Sequence, residues 1–195
     1  MEDGGVEFEE YITKKYGRAA AKRFLGGKSQ LDMTAEKVGI TFAKDRKIFP
    51  SRRAHVLMEH IKSTFGDDSK EANSVMVALF RKYFEEGLNP NSMDTLRDIV
   101  EGVNILGKGD GSETEKALAA AQDKELLNDV LQKDSYHKSQ GVNGVPFFII
   151  EQFGEDGEGE ANNTKKKKKR QPVTFSGAYP PDFIAQELEE MASDA

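Results

Sequence analysis

The stretch GVNGVPFFII, residues 141–150, decides the fold, because it is the most strand-like segment in a sequence dominated by helical patterns. Its PFFII run, residues 146–150, is a short apolar segment typical of a strand that is buried on both faces of a sheet. Proline is allowed at the start of a strand, since the donor that it lacks falls outside the ladder. The alternative is a cis Val145–Pro146 bond, which would turn the chain abruptly and expose the backbone of Val145.

The predicted partner of this strand is VTFSG, residues 173–177, which follows a low-complexity loop at 151–172. The loop is longer than a hairpin needs, and it holds an acidic part followed by KKKKKR at 165–170. Pro181 is placed to begin a final helix, and the apolar side chains of that helix share one face: Ile184, Leu188 and Met191. The last part of the chain therefore predicts a hairpin and a helix.

Helical periodicity fills the sequence up to about residue 138. Ser51, Ser92 and the Ser112–Glu115 pair are predicted helix caps, and Gly26 with Gly27 predicts a break. The predicted apolar stripes are Phe24, Leu31, Ala35 and Val38; Ala54, Leu57, Met58, Ile61 and Phe65; Val75, Leu79, Phe80 and Tyr83; Leu96, Ile99, Val100 and Val103; Leu126, Leu127, Val130 and Leu131. We therefore expect three parts: residues 1–17 as a linker and short helix, 18–138 as a helical subdomain, and 139–195 as the hairpin and final helix.

Charge and hydropathy limit the partners and the location of the protein. The net charge is −6 over 195 residues and the pI is near 5.3, which disfavours nucleic acid and anionic membranes as general partners. No apolar run reaches the length of a membrane span, and the acidic beginning lacks the features of a secretory signal. We expect a cytoplasmic location. The block from Lys165 to Arg170 is either a nuclear-import signal or part of a loop whose acidic half neutralises it.

The sequence contains no cysteine, which excludes disulfides, thiolate nucleophiles and cysteine metal sites. Its histidines are His55, His60 and His137, and their spacing does not place two of them one helical turn apart. We therefore expect no metal site.

Five pieces of the sequence carry a family resemblance that spans nearly the whole chain. They are EYITKKYG at 10–17, SRRAH at 51–55, LFRKYFEEG at 79–87, GVNGVPFF at 141–148 and FSGAYPPDFIAQELEE at 175–190. In this order they resemble the DsbA-like thioredoxin family, and most closely its FrnE-type branch, near 2-hydroxychromene-2-carboxylate isomerase and kappa-class glutathione transferase. The resemblance implies an α/β, thioredoxin-like fold of the DsbA type with a large helical insertion. It also implies a sheet that lacks the N-terminal strand, Cys-x-x-Cys motif, helix and second strand of the family.

The resemblance implies a binding site at Val145 and Pro146. Pro146 is the expected cis proline, and the backbone N–H and C=O of Val145 are expected to pair in strand-like fashion with a peptide or thiol substrate, or with glutathione. Pro50 stands where family members usually have asparagine. Arg52, Arg53 and His55 are either residues that face the cleft or the solvated start of a helix.

The family activity implied is thiol–disulfide oxidoreduction, or a related glutathione-dependent isomerisation or transfer. Thiol–disulfide exchange needs an attacking thiolate, so we expect this chain alone to be redox-inert. The family's first strand lies beside the strand that corresponds to PFFII, and an unpaired edge recruits another chain. Three interpretations remain open: an incomplete oxidoreductase, a noncatalytic module that gains strands from a partner or in a homodimer, and a self-contained rearranged fold.

Overall fold

The computed structural model describes residues 4–25, 29–103, 111–151 and 171–193. The chain divides into two compact units, Met1–Lys133 and Asp134–Ala195. The predicted break at Gly26 and Gly27, nearly all of the loop at 151–172 and the block from Lys165 to Arg170 lie outside the described residues. The predicted domain boundary after residue 138 stays a prediction.

The described part of the first unit is mainly helical. Its elements are β1 (Val6–Glu7), α1 (Phe8–Tyr16), α2 (Arg18–Leu25), α3 (Gln30–Lys37), β2 (Lys47–Ile48), α4 (Arg52–Phe65), α5 (Lys70–Phe80), a π-helical turn (Arg81–Glu85), α6 (Met93–Gly102) and α7 (Ser112–Ala120). Helix α8, Lys124–Ser139, begins in this unit and ends in the second. Most of these helices follow the predicted 3.6-residue periodicity.

The hydrophobic core of the first unit lies between α4, α5, α6 and α7. The buried side chains recur every three or four residues along each helix, as an amphipathic helix requires. They include Ala54, Leu57, Met58 and Ile61 on α4, Val75 and Leu79 on α5, and Leu96, Ile99 and Val100 on α6. The predicted stripes of these three helices are thus largely confirmed, and Phe65 and Val103 pack against them.

Several predicted stripe residues are exposed instead. Phe80 is 55% exposed, because it lies one residue beyond Leu79 and is therefore rotated by about 100° from the buried face of α5. Leu31, Val38 and Leu131 are also exposed. The stripe on α8 contributes no buried residue. The periodicity indicates where each apolar face lies, but it does not indicate how far a neighbouring element covers that face.

Two of the predicted serine caps are confirmed in position. Ser51 and Ser92 are the N-cap residues of α4 and α6, but neither side chain accepts a capping hydrogen bond. Ser112 is the first residue of α7 rather than its cap, and Glu115 pairs with Arg97 at 2.6 Å. A capping box does form at the start of α3, where the side chain of Ser29 accepts from the Asp32 N–H and Asp32 accepts from the Ser29 N–H.

A short antiparallel ladder joins β1 to β2, with Val6 opposite Ile48. Next to it the Arg46 guanidinium lies between two aromatic rings, 4.6 Å from the centroid of Phe8 and 4.8 Å from that of Phe42. Such cation–π contacts stabilise an arginine that is partly removed from water. The ladder and the arginine together fix the segment before α1 onto the segment before α4.

The second unit contains the predicted hairpin and final helix. Strand β3, Phe147–Ile150, pairs antiparallel with β4, Val173–Ser176, and α9 runs from Pro181 to Ser193. The predicted strand pair and the helix start at Pro181 are confirmed. On α9, Met191 is buried, whereas Leu188 is 52% exposed and so departs from the predicted stripe.

The prediction that the β3 strand is buried on both faces is wrong. Phe148 pairs with Phe175 and Ile150 with Val173, on the face where the ring of Phe183 in α9 packs. Ile149 lies on the opposite face and is 57% exposed. In the described residues the sheet has two strands, and α9 covers one of its faces.

Candidate functional site

The Val145–Pro146 segment leads into β3 as an exposed corner of the second unit. The Val145–Pro146 peptide bond is cis, and 88% of Val145 is exposed, the largest value among the exposed large hydrophobic residues described. Among the residues that the structure describes, neither the N–H nor the C=O of Val145 forms a hydrogen bond. The backbone of Val145 therefore faces solvent.

The next carbonyl is held by the hairpin. The Gly177 N–H donates to the Pro146 C=O at 2.9 Å, which extends the β3–β4 ladder by one residue pair. The Ser176 hydroxyl lies 3.4 Å from the Gly144 C=O and 3.5 Å from the Pro146 C=O, which are weak contacts. Pro146 is thus fixed to β4, while Val145, one residue earlier, is not.

The hydrogen bond from Gly177 to Pro146 also indicates which backbone groups remain at the outer edge of β3. In an antiparallel pair, successive residues point their N–H and C=O groups alternately towards the partner strand and away from it. Since Pro146 faces β4, so do Phe148 and Ile150, and the groups of Val145, Phe147 and Ile149 point outwards. Within the described residues β3 pairs only with β4. Residues 145–149 therefore offer a row of backbone donors and acceptors that an extended chain could join.

Aromatic side chains support the site from the inner face of the hairpin. The Phe148 ring stacks on Phe175 with centroids 4.9 Å apart, and Phe175 meets the edges of Tyr179 and Phe183 at 5.2 Å each. Tyr179 stacks on Phe183 at 4.5 Å. Such ring pairs stabilise a hairpin beyond the burial of area alone. The aromatic cluster holds β3, β4 and α9 together and so fixes the edge that Val145 begins.

The other predicted site residues lie in the first unit, at the start of α4. The Arg53 guanidinium donates to the backbone C=O of Asn91 at 3.0 Å, and Arg53 is half-buried. Arg52 and His55 are exposed, which agrees with the alternative of a solvated helix start. In the described part of the chain, no group of three or more histidine or acidic residues has the geometry of a metal site.

Val145 and Pro146 stay the predicted site residues, and the sequence assigned no role to Ser176 and Gly177. Gly177 holds the loop by donating its N–H to the Pro146 C=O, and the Ser176 hydroxyl adds weak contacts to the Gly144 and Pro146 carbonyls. The sequence signal for their role is SGA at residues 176–178, which belongs to one of the five pieces that carry the resemblance. Gly177 adopts a φ of 113°, a backbone conformation that favours glycine. No helix in the described ranges is long and apolar enough to span a bilayer.

Comparison with known proteins defines the class that this fold and site represent. The sequence model of the DSBA-like thioredoxin domain matches residues 11–189. The chain therefore belongs to the DsbA-like thioredoxin domain family, and its fold is the α/β, thioredoxin-like fold of that family with a helical insertion. The resemblance stated from the sequence is confirmed at the level of the family.

The solved structures include a relative in fold. A probable DsbA oxidoreductase from Streptomyces coelicolor superposes with a TM-score of 0.68 at 19% sequence identity, over 97% of this chain and 68% of that one. At this identity the likeness concerns the fold. No curated protein matches the chain.

Proposed function

We propose that this chain is a DsbA-family domain that binds an extended backbone along the outer edge of β3 and carries out no thiol–disulfide exchange by itself. The proposal is carried by the outer edge of β3 at Val145, Phe147 and Ile149, which pairs with no further strand among the described residues and at which the Val145 and Ile149 side chains are exposed. An extended peptide would add to it as a further strand, with main-chain hydrogen bonds supplying affinity. The ligand proposed is a peptide or thiol substrate.

Two features favour a backbone ligand over a small polar one. The edge begins at the exposed side chain of Val145 and continues past Ile149 on the uncovered face, so apolar side chains flank the hydrogen-bonding groups. The Pro146 C=O accepts a hydrogen bond from the Gly177 N–H, and this bond holds the neighbouring backbone groups of Val145 in place before a ligand binds. A preorganised edge loses little entropy on binding.

The proposal that the chain is redox-inert rests on chemistry. Exchange with a disulfide requires a thiolate that attacks sulfur, and the sequence contains no cysteine. Serine and tyrosine hydroxyls form no exchangeable bond with sulfur. We also propose that the chain belongs to the FrnE-type branch of the family, with a relative of the glutathione-dependent isomerases and transferases as the alternative. Glutathione would bind along the same edge of β3 as a short peptide does.

A strand supplied by a partner protein or by a second copy would also occupy this edge. Such pairing follows from the same unpaired groups. It differs from peptide binding in its stoichiometry, so the mass of the free protein, measured by light scattering over a range of concentrations, distinguishes a homodimer from a monomer that binds peptide.

The binding test uses a matched pair of proline variants. Ile149→Pro removes an outward N–H from β3, and Thr174→Pro removes the corresponding outward N–H of its partner residue on β4. We expect Ile149→Pro to weaken binding of a fluorescent, alkylated cysteine peptide by about tenfold or more, and Thr174→Pro to leave it unchanged. Equal effects of both variants, with circular dichroism showing a retained fold, would refute binding at this edge.

The redox test is separate. With dithiothreitol as reductant, the chain should reduce insulin no faster than buffer does. Clear turnover would overturn the redox-inert assignment without bearing on the peptide edge.

Location completes the proposal. We propose a cytoplasmic protein, with nuclear import through the block from Lys165 to Arg170 as the alternative. Microscopy of a tagged protein, before and after replacement of these basic residues by alanine, separates the two: nuclear signal that disappears on replacement would favour import.

A further inference from the structure

After Glu9 and Glu10 in the first turn of α1, the charged residues of α1 and α2 are all basic, in a protein whose net charge is −6. Between Glu10 and Asp32 the sequence has no acidic residue. Within this interval the basic residues are Lys14, Lys15, Arg18, Lys22, Arg23 and Lys28. Lys28 lies outside the described residues, and the other five are exposed.

These five cations differ from several basic residues of the helices that follow. Lys62, Lys82, Arg97 and Lys133, for example, each form an ion pair with a neighbouring carboxylate. Among the described residues, none of the five cations on α1 and α2 lies within ion-pair distance of a carboxylate. Lys15 instead donates to the Tyr11 hydroxyl at 3.3 Å. The charge on this surface is therefore available to another molecule.

The two helices that carry these cations are neighbours in the fold. Helices α1 and α2 pack against each other, with Ile12 and Ala21 buried. Arg18 and Lys22 are one helical turn apart on α2, and Leu25 follows on the same side three residues later. Leu25 is 41% exposed. One exposed side of α2 thus presents two cations followed by an apolar side chain, and the neighbouring helix α1 carries Lys14 and Lys15.

We infer that this cationic surface, defined as Lys14, Lys15, Arg18, Lys22 and Arg23, docks an acidic peptide segment of a partner protein, with Leu25 receiving an apolar side chain of that segment. The complementary ligand has carboxylates one helical turn apart, followed by a leucine or an aromatic residue. Facing charges of opposite sign steer such a ligand and fix its register, and the apolar contact adds affinity. This surface lies in the first unit and is independent of the peptide edge on β3.

Two other anionic ligands fit this surface less well. The helices are about 12 to 14 Å long, which limits the number of nucleic-acid phosphates that they can neutralise, and the acidic surface elsewhere repels a longer strand. An anionic membrane needs a broad apolar face as well as cations. Among the described side chains of α1 and α2, Leu25 and Tyr16 are the exposed large apolar ones.

The test compares two charge-reversal variants of the full chain. Arg18→Glu with Lys22→Glu alters the cationic surface, and Lys70→Glu with Lys124→Glu alters two exposed lysines elsewhere. Each pair changes the net charge from −6 to −10, because each reversal contributes −2. The probe is a short fluorescent peptide with glutamates one turn apart and a following leucine. Single-stranded RNA and vesicles containing phosphatidylserine are the comparison ligands.

We expect the first variant to weaken peptide binding by about tenfold or more and the second to change it by less than about twofold. Leu25→Ala should weaken it by about threefold to tenfold, and salt should weaken the wild type. No peptide binding by the wild type, equal loss in both charge variants, or tighter binding of RNA or vesicles than of the peptide would each overturn the inference. Circular dichroism confirms that each variant is folded.

Discussion

Asn91 caps helix α4 from a position 38 residues after Arg53 in the sequence. Its side-chain Oδ1 accepts a hydrogen bond from the Arg53 N–H at 2.9 Å, and its backbone C=O accepts one from the Arg53 guanidinium at 3.0 Å. Asn91 is buried, with 7% exposure. These two hydrogen bonds, both donated by Arg53, tie the first turn of α4 to the segment that enters α6, and Asn91 thus supplies the capping acceptor that Ser51 was predicted to supply.

Replacing Asn91 should therefore destabilise the first unit. Asn91→Ala leaves a helix N–H of α4 without its acceptor, which is expected to lower the free energy of unfolding by about 1–2 kcal/mol. The measurement is urea denaturation followed by circular dichroism. Asn128→Ala, at an exposed position on α8, should change it by less than about 0.5 kcal/mol. Equal effects at the two positions would contradict the capping role.

The caps illustrate why some of the fold could be predicted and some could not. The stripes of α4 and α6 follow from spacing alone, since residues such as Leu57 and Leu96 face the same direction in any helix that contains them. The choice of cap depends on a partner that is distant in sequence, as with Asn91, or on a competing ion pair, as with Glu115 and Arg97. Spacing contains no information about either.

Elements too short to show a hydrophobic periodicity were not predicted from the sequence either. Strands β1 and β2 have two residues each, too few for an alternation to appear. The exposure of Ile149 depends on what covers the far face of the hairpin, which residues 146–150 do not reveal. The resemblance predicts a site at Val145 and Pro146, which stays a prediction, whereas the outward direction of the backbone groups at Phe147 and Ile149 follows only from the observed register.

Gly5 is expected to resist substitution because its backbone and its surroundings both exclude a side chain. Its φ is 71°, and a Cβ placed there would lie 2.6 Å from the ring of Phe49. Gly5→Ala should lower the free energy of unfolding by about 1–3 kcal/mol, since the left-handed conformation alone costs about 1–2 kcal/mol.

The matched variant is Gly102→Ala, at the last residue of α6, where nothing lies within 4 Å of the added Cβ. It should be neutral or stabilise by up to about 1 kcal/mol. Thermal denaturation of both variants tests the contrast. If Gly5→Ala proved as stable as Gly102→Ala, the close approach of Phe49 to Gly5 would be wrong.

Phe175 should dominate the stability of the second unit, because its ring contacts Phe148, Tyr179 and Phe183. Phe175→Ala removes all three contacts from a half-buried position and should cost about 2–4 kcal/mol. Hydrogen exchange by mass spectrometry should show faster exchange in peptides from β3, β4 and α9. Thr174→Ala, at the exposed neighbouring residue, should leave exchange nearly unchanged, and comparable acceleration by both variants would count against the cluster.

Tyr83 is expected to make the first unit less stable at alkaline pH. Burial of its phenol raises the pKa of Tyr83, the nearby charge of Arg46 opposes this rise, and Tyr11 adds to it. An unfolded tyrosine has a pKa of about 10. Because the folded pKa is the higher one, the stabilising contribution is complete below about pH 10 and is lost as the pH rises through the folded pKa.

Tyr83→Phe cannot ionise, so it should lose less stability than the wild type between about pH 9 and pH 11. Urea denaturation across this range, with absorbance titration near 295 nm, compares the two proteins while the other four of the five tyrosines contribute equally to both. Identical pH dependence in the two proteins would show that the Tyr83 phenol is as well hydrated in the folded chain as in the unfolded one.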